Sequence, residues 1–180
     1  MGTRMALDPN RYQLVVIDVQ EKLAAAMPES SRARCVRATE NLVFAARELG
    51  IPLVFTEQYP QGLGPTVPSL AATDPFVKTA FAATDEPGFD QRLVAGRTVV
   101  LTGMETHVCV AHTAIGLRAA GLDVVVAPDA CVSRRDEDRA DGLAWMRSAG
   151  VTLLPSETLL FGWLGRAGGP LFKEISRRIR

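Results

Sequence analysis

The chain has 180 residues, 47% of them hydrophobic, and its 20 Lys and Arg balance 20 Asp and Glu for a formal net charge of +0. It is too apolar to be disordered, long enough to bury a core as one domain over residues 1–180, and without the global charge that would draw it to nucleic acid or a membrane surface. No apolar stretch reaches the roughly 20 residues of a transmembrane helix. The start, Met1–Asn10, lacks the long apolar segment of a signal peptide, and Ala6 stands where myristoylation at Gly2 would want Ser or Thr. Cys35, Cys109 and Cys131 are odd in number, far apart and without a CxxC pair. Neither a zinc cluster nor a disulfide framework is expected, and the expected compartment is the reducing cytoplasm.

In chain order, Leu14–Ile17 is a continuous apolar run, the pattern of a central parallel strand covered on both faces, and Asp18 falls at its C-terminal end. Pro28-Glu29-Ser30-Ser31 opens a helix that carries Cys35 as a core or spacer residue and ends at Gly50. Residues 52–56 form a second strand, followed by a long Gly- and Pro-rich loop over 57–68. That loop is either a solvated connector or part of a site. Phe76–Thr79 is a short extended piece whose Lys78, taken alone, reads as a snorkelling surface residue. Phe89–Ala95 reads as a short helix closed by Gly96, Thr98–Leu101 as a buried strand, and His112–Ala120 as a helix closed by Gly121. Leu122–Ala127 is a further strand, with Ser133 as N-cap of an acidic-started helix whose apolar side is Leu143, Trp145 and Met146. Residues 151–154 are a last strand, 156–164 a helix and 171–179 a basic amphipathic helix. Strands alternating with helices imply a parallel sheet with helices on both faces, an α/β fold.

The strand–turn–helix segment Thr98–Ala120 organises the chain. It places Cys109 just beyond a strand's C-terminal end, in the first turn of the next helix, where helix N–H groups and the dipole lower a thiol's pKa. Asp18, Lys78 and Cys109 then share one rim of the sheet. Asp18 can take the thiol proton and later activate water, Lys78 can hold both charges, and Cys109 can attack a carbonyl. The turn before Cys109 can aim backbone N–H groups at the oxyanion. His107 and His112, five apart, do not share a helix face and read as surface or packing residues.

These residues carry a resemblance. Val16-Ile17-Asp18-Val19-Gln20, Lys78-Thr79-Ala80-Phe81 and Gly103-Met104-Glu105-Thr106-His107-Val108-Cys109-Val110 occur in the order seen in the isochorismatase-like cysteine hydrolase superfamily. The loop 56–64 and Phe172-Lys173-Glu174-Ile175 resemble its isochorismatase-domain-containing branch. The resemblance implies a three-layer α/β/α fold with a six-stranded, mainly parallel sheet, assembled as a homo-oligomer. It implies Asp18 as base, Lys78 as its partner, Cys109 as nucleophile, a cis peptide at Met104–Glu105, and an oxyanion hole from the Glu105 and Cys109 amides. Candidate substrate-binding residues are Gln20, Leu23, Tyr59, Phe81 and Met104. Nicotinamidases of the superfamily carry an Asp-x-His metal motif after the second strand; here the segment reads Glu57-Gln58-Tyr59, and no metal or cofactor is expected. The cysteine favours hydrolysis of a small amide, carbamoyl or related acyl substrate. A vinyl-ether hydrolase of the isochorismatase type and a non-catalytic binding or scaffold protein are the alternatives.

Overall fold

The apolar runs become the interior of one sheet. In the computed structural model, which describes residues 7–180, six strands pair in parallel in the order β3-β2-β1-β4-β5-β6. The strands are β1 (Tyr12–Ile17), β2 (Leu53–Gln58), β3 (Phe76–Lys78), β4 (Thr98–Met104), β5 (Val124–Val132) and β6 (Thr152–Leu153). Gly2 and Ala6, the positions that bear on myristoylation, lie outside the described residues. Seven helices cover the sheet: α1 (Glu21–Ala25), α2 (Glu29–Leu49), the single turn α3 (Pro60–Leu63), α4 (Ala111–Ala119), α5 (Asp136–Ser148), α6 (Ser156–Leu164) and α7 (Gly169–Arg178). Alternate residues of β1 face opposite layers. Leu14 and Val16 pack with Leu42 and Ala46 of α2, Leu160 and Trp163 of α6 and Ile175 of α7. Val15 and Ile17 pack with Ala114 and Leu117 of α4 and Met146 of α5. Among the described residues, no helix is long and apolar enough to cross a membrane.

The strand order reverses direction at β1, whose neighbours are β2 on one side and β4 on the other. This is the switch point at which doubly wound sheets bind ligands, outside the carboxyl ends of the strands. Gly103 sets the spacing there. It sits at φ +127°, and a Cβ on it would lie 1.9 Å from the Ile17 carbonyl oxygen. Only a residue without a side chain lets β4 approach β1 one residue before Asp18.

Five sequence expectations change. No helix forms over 89–95, apart from a 3₁₀ turn at Asp90–Arg92. The buried Gln13 side chain takes the Val94 backbone instead, accepting from its N–H at 2.8 Å and donating to its carbonyl at 3.1 Å. β2 runs on through Gln58 rather than ending at Thr56. β5 continues past Pro128 by a register break, with Val126 opposite Leu101 and Cys131 opposite Gly103, while Asp129 turns out to accept from the Ser156 N–H at the start of α6. α5 starts at Asp136, so Ser133 is not its N-cap, and Trp145 is exposed against His112 rather than buried.

Gly103→Ala should cost about 3 kcal/mol or more, because the methyl has to push β4 off β1. Gly50→Ala, at φ +67° with open space around it, should cost only about 1 kcal/mol of left-handed backbone strain. Urea unfolding midpoints compare the two; equal losses would contradict the close approach.

Candidate active site

Asp18 leaves β1 in a left-handed conformation, φ +51°, which Asp tolerates better than most residues and which turns the chain off the end of the sheet. Its N–H reaches Thr56 on β2, and the Thr56 hydroxyl donates to Asp18 Oδ1 at 2.6 Å. The other oxygen, Oδ2, accepts from Lys78 Nζ at 2.7 Å. Asp18 has no exposed surface, and Lys78, reaching across from the edge strand β3, is 1% exposed. The reading of Lys78 as a snorkelling surface residue is thereby overturned.

Lys78 Nζ meets three more acceptors: Gln58 Oε1 at 2.7 Å and the carbonyls of Ala80 and Phe81 at 3.2 and 3.1 Å. An ammonium has three protons to donate, so its hydrogen-bonding capacity is filled from within the protein. Glu86 holds the turn that carries these carbonyls by accepting from the N–H groups of Thr79 and Ala80 at 2.7 and 2.9 Å. Those two bonds hold the Glu86 carboxyl below the usual carboxylate range.

Cys109 lies not in the first turn of α4 but in a π-turn, Thr106–Val110, between β4 and α4. The Glu105 carbonyl anchors this turn, accepting from Val108 N at 3.1 Å and, five residues on, from Val110 N at 3.2 Å. The Met104–Glu105 peptide is cis. The Glu105 carboxylate receives Arg134 through the backbone N–H, Nε and Nη2 at 3.0–3.2 Å. From the other side, α5 closes on the turn at Gly142, where a Cβ would lie 2.7 Å from the His107 Cα. His107 Nδ1 lies 3.0 Å from the Ser133 hydroxyl, and His112 is exposed.

Cys109 is 5% exposed, and it lies near enough to Asp18 and Lys78 for both charges to act on its thiol. The expected lowering of its pKa is not found. Burial pushes the thiol up to about 12, the Asp18 charge adds to the rise, and Lys78 opposes it. At neutral pH the sulfur is a thiol with a carboxylate beside it, which calls for a base rather than a preformed thiolate.

Of the candidate substrate contacts, Tyr59 (56% exposed) and Phe81 (62% exposed) are both bonded to Lys78: Tyr59 N–H donates to the Lys78 carbonyl, and the Phe81 carbonyl accepts from Nζ. Leu23 is half-buried against the α2-side core. Gln20 and Met104 present no open surface and are corrected. Met104 is part of that core, and both ends of the Gln20 amide are taken. Gln20 Nε2 donates to the Gln58 and Gly64 carbonyls at 3.0 and 2.6 Å, and its Oε1 accepts from Gln58 N–H at 2.8 Å. The loop after β2 is thus tied down, helped by Glu57, which accepts from Thr66 N–H and hydroxyl at 2.7 and 2.8 Å. Among the described residues no three His, Cys, Asp or Glu side chains gather as a metal-binding group. Thr56, Gln58 and Glu86 had no local signature. Only the pairing of β1, β2 and β3 brings them to the charged pair.

Comparison with known proteins bears on the family and the fold. The family model "Isochorismatase domain" matches residues 12–158. The chain is 40% identical over 177 residues to isochorismatase domain-containing protein 2 of Bos taurus, an alignment that covers 96% of this chain and 84% of that protein. Among solved structures it superposes on a MAR1 ribonuclease from Caenorhabditis elegans with a TM-score of 0.86 at 38% identity, covering 96% of this chain and 91% of that one. It shares its fold with the Escherichia coli YcaC gene product, an octameric hydrolase of unknown specificity, with a TM-score of 0.79 at 22% identity over 92% of this chain and 85% of that one.

Asp18→Asn removes the anion that raises the Cys109 thiol. Thiolate absorbance near 240 nm, read against Cys109→Ala, should then appear at lower pH than in the parent protein. A Cys109 titration that stays put or moves up would contradict the geometry.

Proposed function

The chain belongs to the isochorismatase-domain family, and from that premise we propose that it is a cysteine-dependent hydrolase of a small amide, carbamoyl or related acyl substrate. The observation that carries this reading is the buried Lys78–Asp18 pair at 2.7 Å with the Cys109 thiol beside it, at the sheet's switch point. A carboxylate and an amine on a single thiol, away from bulk water, have no packing rationale.

In the acylation half-reaction the Cys109 proton passes to Asp18 as sulfur bonds to the substrate carbonyl carbon. The oxyanion meets the N–H groups of Glu105 and Cys109, each donor worth about 3 kcal/mol. Asp18 returns the proton to the leaving nitrogen, the C–N bond breaks, and a thioester remains on Cys109. Asp18 then takes a proton from water, the hydroxide adds to the thioester carbonyl, and the carboxylic acid leaves as Cys109 regains its proton. Lys78 remains an ammonium throughout and keeps Asp18 in register. Substrate walls come from Leu23, Tyr59 and Phe81. The same reading makes the protein a cytoplasmic homo-oligomer: its three cysteines are free, and the E. coli protein of like fold is octameric.

The name of the C. elegans structure gives RNA cleavage as a second reading. The formal net charge of +0 provides no general attraction for a polyanion.

A panel of small amides and N-carbamoyl compounds, scored for ammonia or amine release, tests the proposal, with isochorismate and RNA as further arms. Cys109→Ala and Asp18→Asn should each lose at least about 10³-fold in kcat/KM with folding retained, and the parent protein should show an acyl mass on Cys109. Full amidase activity in Cys109→Ala would overturn the nucleophile. Isochorismate turnover that survives it would assign vinyl-ether chemistry, and no turnover in any arm with an unreactive Cys109 would leave a binding protein.

A further inference from the structure

Lys78 Nζ lies between two oxygens at the same distance, Asp18 Oδ2 and Gln58 Oε1, each 2.7 Å away. One is a carboxylate and the other a neutral amide. The amide cannot be turned over, since its Nε2 donates to the Thr79 carbonyl at 2.7 Å and an ammonium bonds only to its oxygen. Its backbone is fixed as firmly, with N–H and C=O both bonded to the Gln20 side chain. A residue clamped at four points to hold one neutral oxygen against a buried cation is more than loop packing.

We propose that Gln58 is a positioning residue that sets the basicity of Asp18 by taking a share of the Lys78 ammonium. The inference rests on the reading of Asp18 as the base for Cys109. A carboxylate that holds an ammonium alone is a poor base, and one that shares it with a second anion accepts protons more readily. The groups that face the pair are Thr56 from β2, Cys109 from the π-turn, and the Ala80 and Phe81 carbonyls with Glu86 behind them. Among these Glu86 and Cys109 titrate, and both feel the Lys78 charge.

The test is the pH dependence of Cys109 alkylation by iodoacetamide, followed by mass, which needs no substrate. Gln58→Glu places a second anion on Lys78 and should move the acid limb of the profile up by about half a pH unit or more. Gln58→Met leaves Lys78 to Asp18, so its limb should move down or stay, with the plateau rate lowered about fivefold or more. A structural role alone would lower stability without separating the two variants. Identical limbs in all three proteins, or equal displacements of the same sign, would overturn the proposal. If Gln58→Glu does not fold, Gln58→Met decides: a parental plateau rate overturns the proposal, and the fivefold loss with a retained melting temperature supports it. A parent protein whose Cys109 resists iodoacetamide across the range would instead strike the nucleophile reading, and this inference with it.

Discussion

The buried ion pair of Lys78 and Asp18 is the constraint on which the rest of the site depends. An isolated charge in this interior would be prohibitively costly, and a pair persists only when its remaining hydrogen-bonding capacity is filled. Here the filling groups come from separate parts of the chain. Thr56 and Gln58 are on β2, the Ala80 and Phe81 carbonyls follow β3, and Asp18 itself ends β1. Satisfying one cation therefore fixes three strand ends and the turn held by Glu86. The cost of burying charge is converted into position.

Position is what the chemistry requires. The sheet order puts β4 directly beside β1, and the Gly103 contact with Ile17 brings the end of β4 against Asp18. The π-turn then returns Cys109 toward the pair, gripped on one side by Glu105 and Arg134 and on the other by α5 at Gly142. The thiol is buried, raised to about 12 by its surroundings, and has a carboxylate next to it. These properties suit a nucleophile that stays protonated until a substrate displaces water and the proton has somewhere to go.

Much of this was legible from local pattern. The apolar runs at Leu14–Ile17 and Thr98–Leu101 are strands because four β-rich apolar residues in a row suit a strand buried on both faces. The ordered motifs around Asp18, Lys78 and Cys109 carry the family resemblance in the sequence itself. What was not legible depends on distant partners. Gln13 melts an apparent helix 81 residues away by bonding Val94. Gln58 looked like the start of a loop and is the end of a strand, with a side chain aimed at Lys78. Gln20 looked like a substrate contact and is a clamp. The thiol's shift was misjudged because placement near a helix start was weighed without burial, and burial is the larger effect.

The most direct measurement of the central claim is a double-mutant cycle in denaturant on the buried pair. Lys78→Met alone strands the Asp18 carboxylate and should cost about 3–5 kcal/mol, as removal of one member of a buried pair does. Adding Asp18→Asn should restore most of that loss, giving a strongly non-additive cycle. Losses that simply add would mean that the two groups do not compensate each other inside the protein, and the account built on them would fail.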